Sequence, residues 1–219
     1  MLQDIQQGGL GNRQELGFLD YRQQAKRERI EEAINYSRKL GAKRLKFIGI
    51  CGSVSYLPDP DDDIDLFLVT ERGMLWTTLL RAFIARRIGR HQRICLSLNM
   101  DEEYASRLFS GGLSGLQRKD AEMVISIYGD KFYNNLRSMP IGKGSYTTRK
   151  FRIPNPINFL LFAVLGTYLV LKGFYVNKYK YVSSHGEFST HISLRYFYFD
   201  SRKYRELEKE MNGGHRDAG

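Results

Sequence analysis

The chain has 219 residues, with 34 Lys and Arg against 24 Asp and Glu, for a formal net charge of +10. With 42% hydrophobic and 26% charged residues it has a globular balance, which excludes a low-complexity or disordered chain and predicts a packed core. The positive field favours polyanionic partners: nucleotides, nucleic acid or an anionic membrane surface.

Residues 1–20, rich in Gly and Gln, read as an irregular arm. From Tyr21 to Leu40, small or apolar residues recur at Ala25, Ile30, Ala33, Ile34, Ser37 and Leu40, a period that predicts a helix stopped by Gly41. Leu45 to Cys51 reads as a strand running into a turn at Gly52, and Asp63 to Thr70 as the next strand. Met74 to Ile88 is expected to be a helix, with Trp76 on its apolar side and Arg81, Arg86 and Arg87 on the other. "RICLSLN", Arg93 to Asn99, is a third strand. This order predicts an α+β (or α/β) domain over residues 21–138, a small mixed β-sheet with flanking helices.

Beyond Met100, "DEEYASRLF" and "KDAEMVISIYGDKFYNNL" read as helices and residues 139–152 as a linker. Residues 153–219 are expected to form a helical C-terminal region. Within it Asn155 and Pro156 make a good helix start, and Ile153 to Leu171 carries no charge. A membrane span needs about 20 apolar residues, so this run is read as a buried core helix, with membrane contact through residues 153–176 as the alternative. "SRKYRELEKEM" predicts a short helix capped by Asp200 or Ser201.

Cys51 and Cys95 form no CxxC pair or Cys/His cluster, so neither a disulfide framework nor a zinc site is expected. Free thiols, and an N-terminus with no apolar run behind basic residues, lead to the expectation of a cytoplasmic protein, membrane association being the minority alternative. The four histidines have no metal-ligand spacing.

The chemistry concentrates in "GSVSYLPDPDDDIDLFLV", where five Asp fall between residues 59 and 65 of a basic chain. Asp59, Asp61 and Asp62 read as a solvated turn. Asp63 and Asp65 fall in the strand pattern, where residues two apart share a side with Cα atoms about 6.6 Å apart. Two carboxylates so placed suit a hard cation such as Mg²⁺, which takes one or two of them together with phosphate oxygens. Gly52 lets a backbone approach a phosphate closely, and the Ser53 hydroxyl and nearby N–H groups can hold its oxygens.

Gly52-Ser53, nine residues, then Asp63-Ile64-Asp65-Leu66 resembles the signature of the polymerase β-like nucleotidyltransferase superfamily. "TERGMLW", "ICLSLNMDEE" and "FSTHISLRYFYFDSRKYREL" are further similar to nucleotidyltransferase-domain proteins. The resemblance implies transfer of a nucleoside monophosphate from ATP or another NTP to an acceptor: a small molecule, a protein or an RNA. By position, Gly52 and Ser53 would hold the triphosphate, and Asp63 and Asp65 would coordinate Mg²⁺, with two ions allowed.

Members of that family add a third carboxylate from a later strand, and "RICLSLN" contains none. Asn99, through its amide oxygen, is the candidate metal ligand there, and Asp101 is the candidate catalytic carboxylate, able to take the proton of the attacking group, if the strand runs two residues further. The rival reading is a degenerate fold that binds nucleotide or a partner without turnover. Basic residues Arg86, Arg87, Arg90 and Arg93 are read chiefly as a solvated face.

Overall fold

Two runs that are apolar on both sides, "LKFIGIC" and "IDLFLVT", make the centre of the sheet. A computed structural model of the chain describes residues 4–56, 62–111, 123–140, 155–179 and 188–201. Strands β1 (Leu45–Cys51) and β2 (Ile64–Thr70) pair antiparallel, and β2 runs parallel to β3 (Ile94–Asp101). With β4 (Ile125–Tyr128), β5 (Phe188–Ser193) and β6 (Tyr196–Ser201), the sheet order is β4-β1-β2-β3-β6-β5. Every pairing but β2–β3 is antiparallel. A parallel pair requires a crossover, and helix α3 (Leu75–Ile88) supplies it. The fold is α+β, as the order of predicted elements implies.

Because strand side chains alternate, β1 and β2 feed two cores. Ile48, Ile50, Ile64, Leu66 and Leu68 pack with Tyr36 and Leu40 of α1 (Asp4–Leu40) and with Trp76 and Leu79 of α3. Phe47, Phe67 and Val69 pack on the opposite face with Phe109 of α4 (Glu102–Ser110) and with Tyr133 and Leu136 of α5 (Asp130–Arg137). Tyr36 donates to the Ala82 carbonyl at 2.8 Å, which ties α1 to α3, and its burial pushes the phenol pKa up despite the opposing charge of Arg86. Trp76 is fully buried, and its Nε1–H donates to the Ser193 carbonyl at 3.1 Å. It is a core residue, as expected.

Four expectations change. Helix α1 starts at Asp4, so residues 4–20 continue it rather than forming an irregular arm. "KDAEMVISIYGDKFYNNL" is not one helix: Ile125–Tyr128 joins the sheet edge beside β1, and α5 begins only after Gly129. Gly129 has φ +86°, and a Cβ there would lie 2.0 Å from the Lys46 carbonyl oxygen, so strand and helix meet at a point only glycine fits. The C-terminal region is not simply helical, since β5 and β6 form a hairpin that extends the sheet past β3. Asp200 and Ser201 belong to β6, and the rest of the expected tail helix, like residues 141–152 of the expected linker, lies outside the described residues.

The fourth concerns helix α6 (Pro156–Tyr179), read from the sequence as a buried core helix. Only one side of it is buried, through Asn158, Gly166 and Leu169, with Leu161, Phe162 and Leu165 half-buried against α3 and β5. Its other side presents large apolar side chains to solvent.

Candidate functional site

Strand β1 ends at Cys51, and Gly52 turns the chain with φ +68°. A Cβ at Gly52 would stand 2.5 Å from Asp65 Oδ2, so the Asp65 carboxylate lies against the bare Cα. The antiparallel register explains this meeting, because Cys51 pairs with Asp65. Ser53 then opens the short helix α2 (Ser53–Tyr56). The turn is pinned by Ser55, whose hydroxyl donates to the Gly52 carbonyl at 2.7 Å, and by Lys26 of α1, whose Nζ donates to the Ser55 carbonyl at 3.0 Å.

Asp63 precedes β2 rather than lying in it, so its side is set by the chain entering the strand and not by the ladder. Asp63 is exposed at the rim of the sheet, and partial desolvation by its neighbours raises its pKa above the usual carboxylate range. The Arg86 charge opposes that rise, Asp62 adds to it, and Arg29 and Arg93 oppose it more weakly. The structure therefore brings Gly52, Ser53, Asp63 and Asp65 to one end of β1 and β2, beside Lys26, Arg29, Arg86 and Arg93. Residues 57–61, with Asp59 and Asp61, lie outside the described residues.

On the other side of Asp65 stands Cys95, its partner in the parallel β2–β3 register. Burial, and then the Asp65 and Asp63 charges, hold the Cys95 thiol neutral well above the ordinary range, and a hydrogen bond to Asp65 reinforces this. Ser97, next along β3, places its hydroxyl 3.7 Å from Cys51 Sγ. A thiol and a hydroxyl thus occupy the β3 positions that flank the acid pair. Cys51 and Cys95 are both free, and a strand lies between them, so their Cα atoms stand about 9.6 Å apart at ~4.8 Å per strand, too far for a disulfide.

Asn99 and Asp101 are not brought to the site. In the β2–β3 register they pair with Leu68 and Thr70, so Asp101 stands about 17 Å along the strand from Asp65 at ~3.3 Å per residue. Strand β3 does run on to Asp101, but running parallel to β2 carries that residue away from the acid pair. Asn99 is buried and donates to the Leu96 carbonyl at 2.8 Å, bracing β3. Asp101 caps α4, accepting from the Tyr104 N–H at 2.9 Å, and burial raises its pKa against the pull of that bond and of Arg195. Asp101→Ala should therefore cost about 1–2 kcal/mol through the lost cap and leave nucleotide affinity unchanged. Thermal melting beside a nucleotide titration checks both.

At the far end of β2 and β3 a cavity of about 560 Å³ is lined by Arg44, Lys46, Arg72, Asp101, Asn158 and Arg195, among others. Its charges are internally matched: Arg44 with Glu71 at 2.8 Å, Lys46 with Glu102 at 3.6 Å, Arg72 with Glu103 at 2.8 Å, and Arg195 with Glu103 and Asp101. The network fastens the β5–β6 hairpin to α4, and among the described residues each of these lining cations has an acidic partner.

Among the described residues no group of three or more His, Cys, Asp or Glu is placed to hold a metal. Asp63 and Asp65 supply hard oxygen donors of the kind Mg²⁺ accepts when phosphate oxygens and water fill the remaining positions. The pair alone supplies two such donors and forms no closed cage for a resident ion. Compared with protein-family models, curated proteins and solved structures, the chain matches none.

Lys26 and Arg29 were missed by reading the sequence, although Arg22, Lys26 and Arg29 recur at helical spacing on α1. Arg29 is buried, unusual for a solvated helix face, and burial is what sequence spacing does not reveal. Arg86 and Arg93, read as part of a solvated face, carry their charge to Asp63.

Proposed function

We propose that this chain is a Mg²⁺-dependent nucleotidyltransferase that moves a nucleoside monophosphate, ATP being the first donor to test, to an acceptor hydroxyl or phosphate. The observation that carries the reading is the convergence of Gly52 and the Asp63/Asp65 pair at one sheet end beside Lys26, Arg29, Arg86 and Arg93. In this reading Lys26, Arg86 and Arg93 meet the polyphosphate, and the buried Arg29 adds its charge from beneath. Asp63 and Asp65 would hold Mg²⁺, which neutralises charge on the phosphates in a displacement whose catalysis is mainly electrostatic. Gly52 keeps the backbone clear of the Asp65 carboxylate, so that the carboxylate sits at a fixed position.

A second reading rests on Cys95. The β3 residue opposite Asp65 is a neutral thiol, which neither binds a hard cation well nor takes a proton from an attacking hydroxyl. On this reading β3 offers no third carboxylate beside the acid pair, and the chain binds nucleotide without turning it over.

Calorimetric titration of ATP with and without Mg²⁺, followed by pyrophosphate release from labelled ATP, separates the two. Metal-dependent binding with release supports the transferase, and binding without release in the presence of candidate acceptors supports the module. No binding of any of the four NTPs overturns both. The metal-dependent binding should also fall off with acid earlier than for an ordinary aspartate. Asp63 is protonated at higher pH than usual, and only the ionised form holds the cation. Titrations across mildly acidic pH check this.

A further inference from the structure

Helix α6 is bound to the domain along one side only. Asn158 Oδ1 accepts from the Trp76 N–H at 2.8 Å and the Thr77 N–H at 3.3 Å, capping α3, whose own cap residue Met74 offers no side-chain bond. Phe162 packs edge-on to Trp76, and Gly166 faces Ile192 of β5. The opposite side carries Ile157, Leu160, Val164, Tyr168 and Leu171, each more than half exposed. These residues step by three or four, so they form one stripe about 21 Å long at ~1.5 Å per residue. The stripe contains no charge, and Phe159 widens it. An apolar face of that extent on a soluble surface marks an interaction site.

Charge identifies what covers it. Between Asp130 and Glu187 there is no acidic residue, against nine Lys and Arg; Arg149, Lys150 and Arg152 precede the helix in sequence, Lys172 and Lys178 lie in its C-terminal part, and Lys180 follows it. We propose that α6 lies in the plane of an anionic lipid bilayer, its apolar stripe sunk into the boundary between headgroups and acyl chains while the flanking basic residues meet the headgroups. Interfacial helices are buried by about 5–10 Å and draw on both apolar area and attraction to anionic lipid. A second copy of the chain fits less well, because a symmetric contact would bring two acid-free basic stretches together. A membrane span fits less well too. It would strip Asn158 from the α3 N–H groups, leaving the end of α3 uncapped in the domain and the Asn158 amide without these partners in hydrocarbon. The proposal stands apart from the nucleotide reading and survives its failure.

The test is flotation of the full chain with phosphatidylcholine vesicles, with and without phosphatidylserine, at low and high salt. The expected result is binding to the anionic vesicles only, weakened by salt and stripped by alkaline carbonate. Leu160→Glu with Val164→Glu should lower the partition at least about a hundredfold, each change removing a buried apolar side chain from the lipid boundary. Ile88→Glu, a change at an exposed apolar residue of α3, should bind as wild type. Melting temperatures no lower than wild type show that both variants are folded. No flotation, or flotation that the double variant leaves intact, overturns the proposal. Resistance to carbonate overturns it in favour of a span. An oligomer that the double variant dissociates, in a chain that ignores vesicles, overturns it in favour of self-association.

Discussion

Asp63→Asn combined with Asp65→Asn should abolish Mg²⁺-dependent ATP binding and leave the protein folded. The two carboxylates are the hard oxygen donors at the end of β1 and β2, and an amide of the same shape at Asp65 can still hydrogen-bond Cys95. An amide keeps the shape but gives up the charge, and a divalent cation held by neutral oxygens and phosphate alone is bound far more weakly. Calorimetry should show at least a hundredfold loss of the metal-dependent affinity, about 2.7 kcal/mol or more. Any weak binding that needs no metal should remain, because Lys26, Arg29, Arg86 and Arg93 are untouched.

The same variant should be slightly more stable than wild type near neutral pH, with a defined pH dependence. Partial desolvation raises the pKa of Asp63 in the folded state, so the folded protein binds a proton there slightly more readily than the unfolded chain does. Stability contributed at this position is therefore present at low pH and lost as pH rises through the folded pKa. The change to Asn removes that loss. Melting curves from mildly acidic to neutral pH should converge at the acid end and separate as pH rises. A variant that melts below wild type at every pH would mean that the carboxylates hold the fold together and that their loss of ligand is indirect.

What the sequence conveyed and what it concealed divide along physical lines. The helix ending at Leu40 and strands β1 to β3 are legible because period and stop residues coincide: Gly41 after the helix, Gly52 after β1. Helix α1 was cut short because Gly8, Gly9 and Gly11 are poor helix formers, and local propensity did not foretell their inclusion. Strand β4 was hidden because "VISIY" is apolar and short enough to suit either structure, and its membership depends on pairing with β1. The hairpin of "FSTHIS" and "YFYFDS" has the alternation of paired strands, but it is separated in sequence from the β3 edge that it joins.

The same limit governs the site. Gly52, Ser53, Asp63 and Asp65 are legible because a turn and a strand entry lie close together in the chain. Asn99 and Asp101 are candidates only because the resemblance asks a later strand for a third ligand, and the parallel register carries that end of β3 away from Asp65. Cys95 was read only as a buried thiol, yet it is the β3 residue that touches Asp65. Helix α6 shows a related blindness: an uncharged run says that a face will be covered, not by what.

Gly52→Ala should combine a structural and a functional loss at one atom. A left-handed backbone such as φ +68° costs a residue with a Cβ about 1–2 kcal/mol. Here the added carbon would also meet Asp65 Oδ2 at 2.5 Å and Asp65 Cβ at 3.2 Å, so the carboxylate or the turn must move. The total should exceed about 2 kcal/mol, and the melting temperature of a chain of this size should fall by roughly 4–8 °C. The two causes separate in a double-mutant cycle. In an Asp65→Ala background the carboxylate is gone and only the backbone strain remains, so the cost of Gly52→Ala should shrink to about 1–2 kcal/mol. An undiminished cost in that background would show that Gly52 serves the turn alone. A diminished one would mean that this glycine is there to make room for the carboxylate, the arrangement a fixed phosphate-and-metal site at this sheet end requires.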